Sequence, residues 1–380
     1  MNRHVLTAFI SCMGLGVVFM NLPPILPSLK TIYGVSNARI AFLVTSLIMA
    51  HGAVQIPAGL FTDRVGVRKT LIISLFLVFV SSLLCVFNTK YEFVLVMRIL
   101  SGIGSGFAFG SGIKYATLFA RESHRGVVQG IFGGSFSIGA IFPFFLMPAL
   151  IEIDWKLIYL GTSLFFVIPI TLLVGWGEEV KPSSVITLTD LKSVFSSQAV
   201  WILGTLHAIF FGGVITLGTW FSTFAIHASQ MESLRVIGAW GALVMFVSGL
   251  ARVMGGFFLR RLSAIKIIRY SFLVLLFSYF FLAFSNHFGY RLLFFGLAIY
   301  MSSVTFGPIF LLSFIVSGSE LAATGFGIVN FIANMGSLFF PILFGYLIDL
   351  TGTYEVPFLF LGGLVMMGMF LTFLLKEYTK

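Results

Sequence analysis

The chain has 380 residues, of which 58% are hydrophobic and 9% charged; soluble domains carry about 25% charged residues, so this surface faces lipid rather than water. The formal net charge is +10, from 23 basic and 13 acidic residues, but no Lys/Arg tract with interleaved aromatics occurs, which argues against a nucleic-acid partner. Cys12 and Cys85 are the two cysteines, each inside an apolar run, and read as small buried hydrophobes rather than a disulfide or metal site.

A membrane-spanning helix needs about 20 apolar residues. Splitting the chain at charged, Pro, Gly and Asn punctuation predicts the first span at 5–27, which is kinked at its end by Pro23, Pro24 and Pro27. It is long enough to cross and many further spans follow, so it does not read as a cleaved signal peptide. The next five are 38–60, 69–88, 93–118, 126–150 and 156–176. A polar gap at 177–197 follows, with Glu178, Glu179, Lys181, Pro182, Asp190 and Lys192. Six more spans are predicted at 198–226, 235–259, 265–286, 290–314, 323–348 and 356–376. The expected fold class is an all-α membrane protein of twelve transmembrane helices in two pseudo-symmetric six-helix bundles. The N-terminal bundle is 1–176, the cytoplasmic linker 177–197 and the C-terminal bundle 198–380.

Orientation follows from the positive-inside bias. With the N-terminus inside, fourteen Lys/Arg fall on the side of the termini and six on the other, so both termini are expected in the cytoplasm, with the chain in an inner membrane. A slide of 197 residues places Gly16 on Gly213, Gly59 on Gly256, Gly130 on Gly327 and Gly139 on Gly336. It also places Gln55 on Arg252. One recurring offset is the mark of a parallel duplication of six helices, a known transporter plan with the solute near the midplane.

After span 2 the chain reads Gly59-Leu-Phe-Thr-Asp63-Arg64-Val-Gly66-Val-Arg68-Lys69. This resembles the loop signature G-x-x-x-D-R-x-G-R-[RK] of the major facilitator superfamily, with Val67 in place of the first paired basic residue. Span 4 opens with Arg98-Ile-Leu-Ser-Gly102-Ile-Gly104-Ser-Gly106, similar to the family's R-x-x-x-G-x-G-x-G stretch. The resemblance runs the whole chain, but the second-half counterpart, Gly256 to Arg261, lacks the acid. It implies two bundles, a central cavity and alternating access. Gly59 would let helices approach closely, Asp63 would cap a neighbouring helix or pair with a base, and Arg64, Gly66, Arg68 and Lys69 would hold the turn against anionic headgroups. These residues and Arg98 form the expected conformational switch; Arg98 lies near the outer end of its span and Lys114 near the inner end, where its stem can snorkel to the surface.

Ionisable groups inside spans are costly and default to function. Arg252 is deep in span 8, and none of the predicted spans contains an acid, so its guanidinium fork invites an anionic solute. His51 and Gln55 are one turn apart on one face of span 2. His207 is in the middle of span 7, and Asn330 and Asn334 share a face of span 11. These six residues are the candidate solute site, with His51 and His207 as titratable groups for a coupling proton, as in a symporter. The pattern is similar to nitrate/nitrite porters, which carry Arg at both the Gln55 and Arg252 positions, and to monocarboxylate and dicarboxylate carriers, which carry one. The expected cargo is a small organic anion; an inorganic anion of the nitrate/nitrite kind, or export of a drug or metabolite through a Phe-rich cavity, are the alternatives. No Walker motif, metal spacing or nucleophile–base pair occurs, so no enzyme, cofactor or metal is expected. The partners are a small solute and the bilayer, and the protein is expected to work as a monomer.

Overall fold

A computed structural model describes residues 2–121, 125–179, 195–229 and 233–375. Among the described residues the regular structure is helical, with no strand. Helix α1 (Arg3–Met20) starts at Asn2, whose side chain accepts from the His4 amide. Pro23 and Pro24 then turn the chain into a short 3-10 segment, Pro23–Ile25, before α2 (Leu26–Tyr33). The proline kink is where the sequence places it, but the helical run continues past residue 27 to Tyr33.

Span 2 is two helices, α3 (Asn37–Ala53) and α4 (Gln55–Val65), broken at Val54. Pro57 stands in the first turn of α4 and brings no N–H to the Ala53 carbonyl, so the helix restarts there. Next come α5 (Val67–Phe87), α6 (Tyr91–Leu118), α7 (Arg125–Ile153) and α8 (Leu157–Trp176). The second half holds α9 (Gln198–Ser229), α10 (Leu234–Phe258), α11 (Ala264–Phe284), α12 (Phe288–Val304), α13 (Phe306–Thr351) and α14 (Glu355–Leu371). Two expectations are corrected here. Span 10 is interrupted at Thr305, because Pro308 leaves the Val304 carbonyl without an intrahelical donor. The predicted loop at 315–322 is helical backbone within α13; it contains no proline, and Glu320, Leu321 and Ala322 are good helix formers. Among the described residues, ten stretches are long and apolar enough to cross a membrane, and the split α3–α4 pair and the shorter α14 complete twelve spans.

The chain forms two compact units. Unit 1 is Met1–Tyr33, Leu43–Val185 and Ser233–Met245; unit 2 is Gly34–Phe42, Ile186–Glu232 and Phe246–Lys380. In unit 1, α1 packs on α7 with backbone nearly touching backbone: a Cβ on Gly139 would strike the Met13 carbonyl, and one on Gly16 the Phe136 carbonyl. In unit 2, α9 packs on α13 the same way, with Gly336 against the Ala208 carbonyl. Gly139 and Gly336 are the pair that the 197-residue offset superimposes, so small residues set close helix approach at equivalent places in both halves.

Candidate solute site

Within unit 1 the break at Val54 leaves His51 at the end of α3 and Gln55 at the start of α4. The Gln55 amide nitrogen lies 3.0 Å from His51 Nε2, and His51 Nδ1 lies 3.0 Å from Ser105 Oγ on α6. Ser105 donates its own proton to the Gly102 carbonyl at 2.8 Å. The ring therefore donates from Nδ1 to Ser105 and accepts at Nε2 from Gln55, the assignment of a neutral imidazole with both nitrogens partnered. Phe19 and Phe109 pack edge-on against it. The expected one-turn pairing of His51 and Gln55 is present; Ser105, the third member, carries no signal in the sequence beyond being a serine in a glycine-rich helix.

Within unit 2, α9, α10 and α13 bring together His207, Arg252 and three phenylalanines. The Arg252 guanidinium carbon lies 5.0 Å from the centroid of the Phe306 ring, a cation–π contact. The His207 ring lies 5.9 Å from the same Phe306 ring and stacks on Phe211 at 5.8 Å; Phe310 extends the aromatic wall at 4.4 Å from Phe306. The charge of Arg252 acts on His207. His207 is only 2% exposed, and among the described residues neither of its ring nitrogens has a hydrogen-bond partner. Phe306, which holds both polar side chains, was indistinguishable by sequence from the other 45 of the 46 phenylalanines.

Asn330 and Asn334 do share a face of α13, but the Asn334 amide donates to the Asn330 carbonyl at 2.8 Å, so that donor already serves the helix backbone. Arg98 is 3% exposed and turned inward. Its guanidinium donates to the Val18 carbonyl and to Asn21 Oδ1, each at 2.9 Å, and to the Val44 carbonyl at 3.0 Å. Headgroup contact, open to it by its position in the sequence, is replaced by a junction of α1, α3 and α6 inside unit 1.

At the turn between α4 and α5, Gly66 has φ +109°, a conformation that favours glycine. Glu179 accepts from the amides of Arg68 and Lys69, both at 3.0 Å, and so caps α5. The Arg68 side chain donates to the Leu173 and Val174 carbonyls at the end of α8, at 2.8 and 3.1 Å. Arg64 and Lys69 are exposed. Gly59 and Asp63 lie on α4, and their side-chain positions fall outside the described residues. Glu179 escaped notice because the gap at 177–197 read as linker, yet its first acids are structural: Glu178 pairs with Arg3 and His4, both at 3.3 Å.

Comparison with known proteins bears on the family and the fold. The family model described as Major Facilitator Superfamily matches residues 5–332. The nitrite extrusion protein of Bacillus subtilis is 25% identical over 337 residues, 86% of this chain and 82% of that one. A "probable sulfoacetate transporter" of Cupriavidus necator is 23% identical over 403 residues, covering 97% and 92%. A bacterial homologue of the human lysosomal transporter Spinster, solved inward-facing and unoccupied, has the same fold, with a TM-score of 0.81 at 13% identity over 97% of this chain and 95% of that one.

Proposed function

Because the chain belongs to the Major Facilitator Superfamily, and is thus a membrane transporter and not an enzyme, we propose that it carries a small organic anion, foremost a carboxylate, by alternating access. The observation that carries this reading is Arg252: a guanidinium within an apolar helix, seated on Phe306, the ring that His207 also meets. A cation at that depth is costly and marks a ligand path, and its planar fork fits a carboxylate or another oxyanion. Nitrite and sulfoacetate, named for two relatives, are both anions, and the second is organic.

In this reading Arg252 holds the anionic group, and His207, His51, Gln55, Asn330 and Asn334 supply polar contacts. Gly59, Asp63, Arg64, Gly66, Arg68, Lys69 and Arg98 govern the conformational switch. The membrane is the inner one and both termini are cytoplasmic. An inorganic oxyanion is the second reading, favoured by the nitrite name of one relative; Gln55 in place of a second arginine weighs toward an anion needing one cation.

Arg252→Ala is expected to abolish anion uptake into vesicles while expression and thermal stability remain near wild type. Unchanged uptake by that variant removes the role. A thermal-shift panel of mono- and dicarboxylates, sulfonates, nitrate and nitrite on the purified protein separates the two readings.

A further inference from the structure

Two histidines, His51 and His207, lie deep inside the spans, and their surroundings differ. His51 has Ser105 on one nitrogen and Gln55 on the other. His207 is equally buried, yet both of its nitrogens lack partners among the described residues. A polar group held this way in an apolar wall costs free energy unless something that visits the site completes its bonding. Its surroundings name the visitor. From its own helix His207 meets Phe211, from α13 it meets Phe306, and from α10 the Arg252 cation acts on it; Arg252 is the charged group that does so among the described residues.

An imidazolium at His207 with the site empty would face that cation across desolvated aromatic surface, where like charges repel strongly. An anion seated on Arg252 reverses the balance. Its negative charge arrives beside the unpartnered ring, whose protonated form can donate an N–H to it. We propose that His207 is the proton-coupling residue, taking up a proton together with the anion held at Arg252 and releasing both on the other side. This rests on the anion reading of Arg252. The proton comes from water on the loading side, forms an N–H bond on a ring nitrogen, and returns to water on release. Arg252 keeps its charge throughout. One anion and one proton cross together, so no net charge moves when the anion is singly charged, and by linkage each ligand strengthens the binding of the other.

The test uses the full chain in proteoliposomes with a pH-sensitive dye in the lumen, given nitrate or sulfoacetate. Nitrate is the anion of a strong acid, so a proton travelling with it rides on the protein. The expected result is lumenal acidification accompanying anion uptake; with nitrate, a monoanion, uptake is insensitive to an imposed membrane potential, whereas sulfoacetate, a dianion near neutral pH, still carries one net negative charge with its proton. One-to-one coupling concentrates the anion about tenfold per unit of imposed pH gradient. In His207→Gln and His207→Asn the proton-to-anion ratio of whatever flux remains falls toward zero. An unchanged ratio in either variant, or wild-type uptake without acidification, overturns the proposal and leaves the Arg252 reading standing. Absence of any saturable flux or binding of both anions removes that reading and this proposal with it. If neither variant can be reconstituted, calorimetry of the wild type in two buffers of different ionisation heat decides. Proton uptake on anion binding supports the proposal and its absence overturns it.

Discussion

A guanidinium can be kept inside a membrane protein by backbone oxygen alone, and Arg98 does so. Helix carbonyls keep a second lone pair after their intrahelical bond, and those of Val18 and Val44, together with Asn21 Oδ1, surround its fork. Asn21 in turn donates to Thr162 at 3.1 Å, which brings α8 into the same junction. Lysine offers one compact ammonium and cannot reach carbonyls on two helices together. Arg98→Lys is therefore expected to destabilise the protein nearly as much as Arg98→Met, by about 3 kcal/mol, since breaking a buried charged network leaves its partners unsatisfied. The thermal unfolding midpoint in detergent reads this, and a lysine variant as stable as wild type would refute the junction. Arg252 lies against an aromatic face, Phe306, and as the proposed anion site its truncation should be felt in transport more than in folding.

The α4–α5 turn shows how one motif is read differently at the level of elements. The glycine of the signature is required by backbone shape: Gly66 at φ +109° closes α4 through its N–H to the Thr62 carbonyl and opens α5. A Cβ there would also lie 2.5 Å from the Glu179 carboxylate. Gly66→Ala should cost about 2 kcal/mol through left-handed strain alone, and the clash adds to it. Glu179→Ala uncovers the two amides that begin α5 and is expected to lower the thermal midpoint by less than Gly66→Ala does, with the order of the two variants as the check. Arg68 works on the opposite charge, tying the electronegative end of α8. The motif thus fastens three helix ends of unit 1, with an acid from beyond the sixth span as its missing partner.

At the scale of the whole molecule the duplication is visible in contacts as well as in letters. The 197-residue offset that superimposes Gly139 on Gly336 also relates Glu152 to Asp349. In unit 1 Glu152 pairs with Arg235 at the start of α10 at 2.6 Å. In unit 2 Asp349 accepts from the amides of Asn37 and Ala38 at the start of α3, at 3.1 and 3.0 Å. The same offset takes His51 to Ser248, which bonds Ser303 at 2.7 Å, and Gln55 to Arg252. Backbone packing has been kept between the halves while the polar residues diverged, as expected if the solute needs one cation and the fold needs both helix pairs. Twelve crossings place the termini on one side; cysteines introduced near residue 2 and residue 375 should both resist a membrane-impermeant reagent in intact cells and react after permeabilisation. Labelling of one end alone would contradict the arrangement.

Length, hydropathy and charge distribution determined by themselves that the chain lies in a membrane, that its helices come as a repeated set of six, and which few ionisable residues lie deep inside. Those properties are periodic or local, and burial in lipid leaves a continuous apolar record. Side-chain partnership was decided only in three dimensions. Sequence could not distinguish His51, satisfied by Ser105 and Gln55, from His207, left open beside Arg252, nor Arg98 held by carbonyls from Arg252 held against a ring. Apart from the one-turn His51–Gln55 pair, which spacing does show, these contacts join helices distant in sequence, fixed by close backbone approach at glycines and by breaks at Pro57 and Pro308, and contacts at that separation leave no trace in spacing.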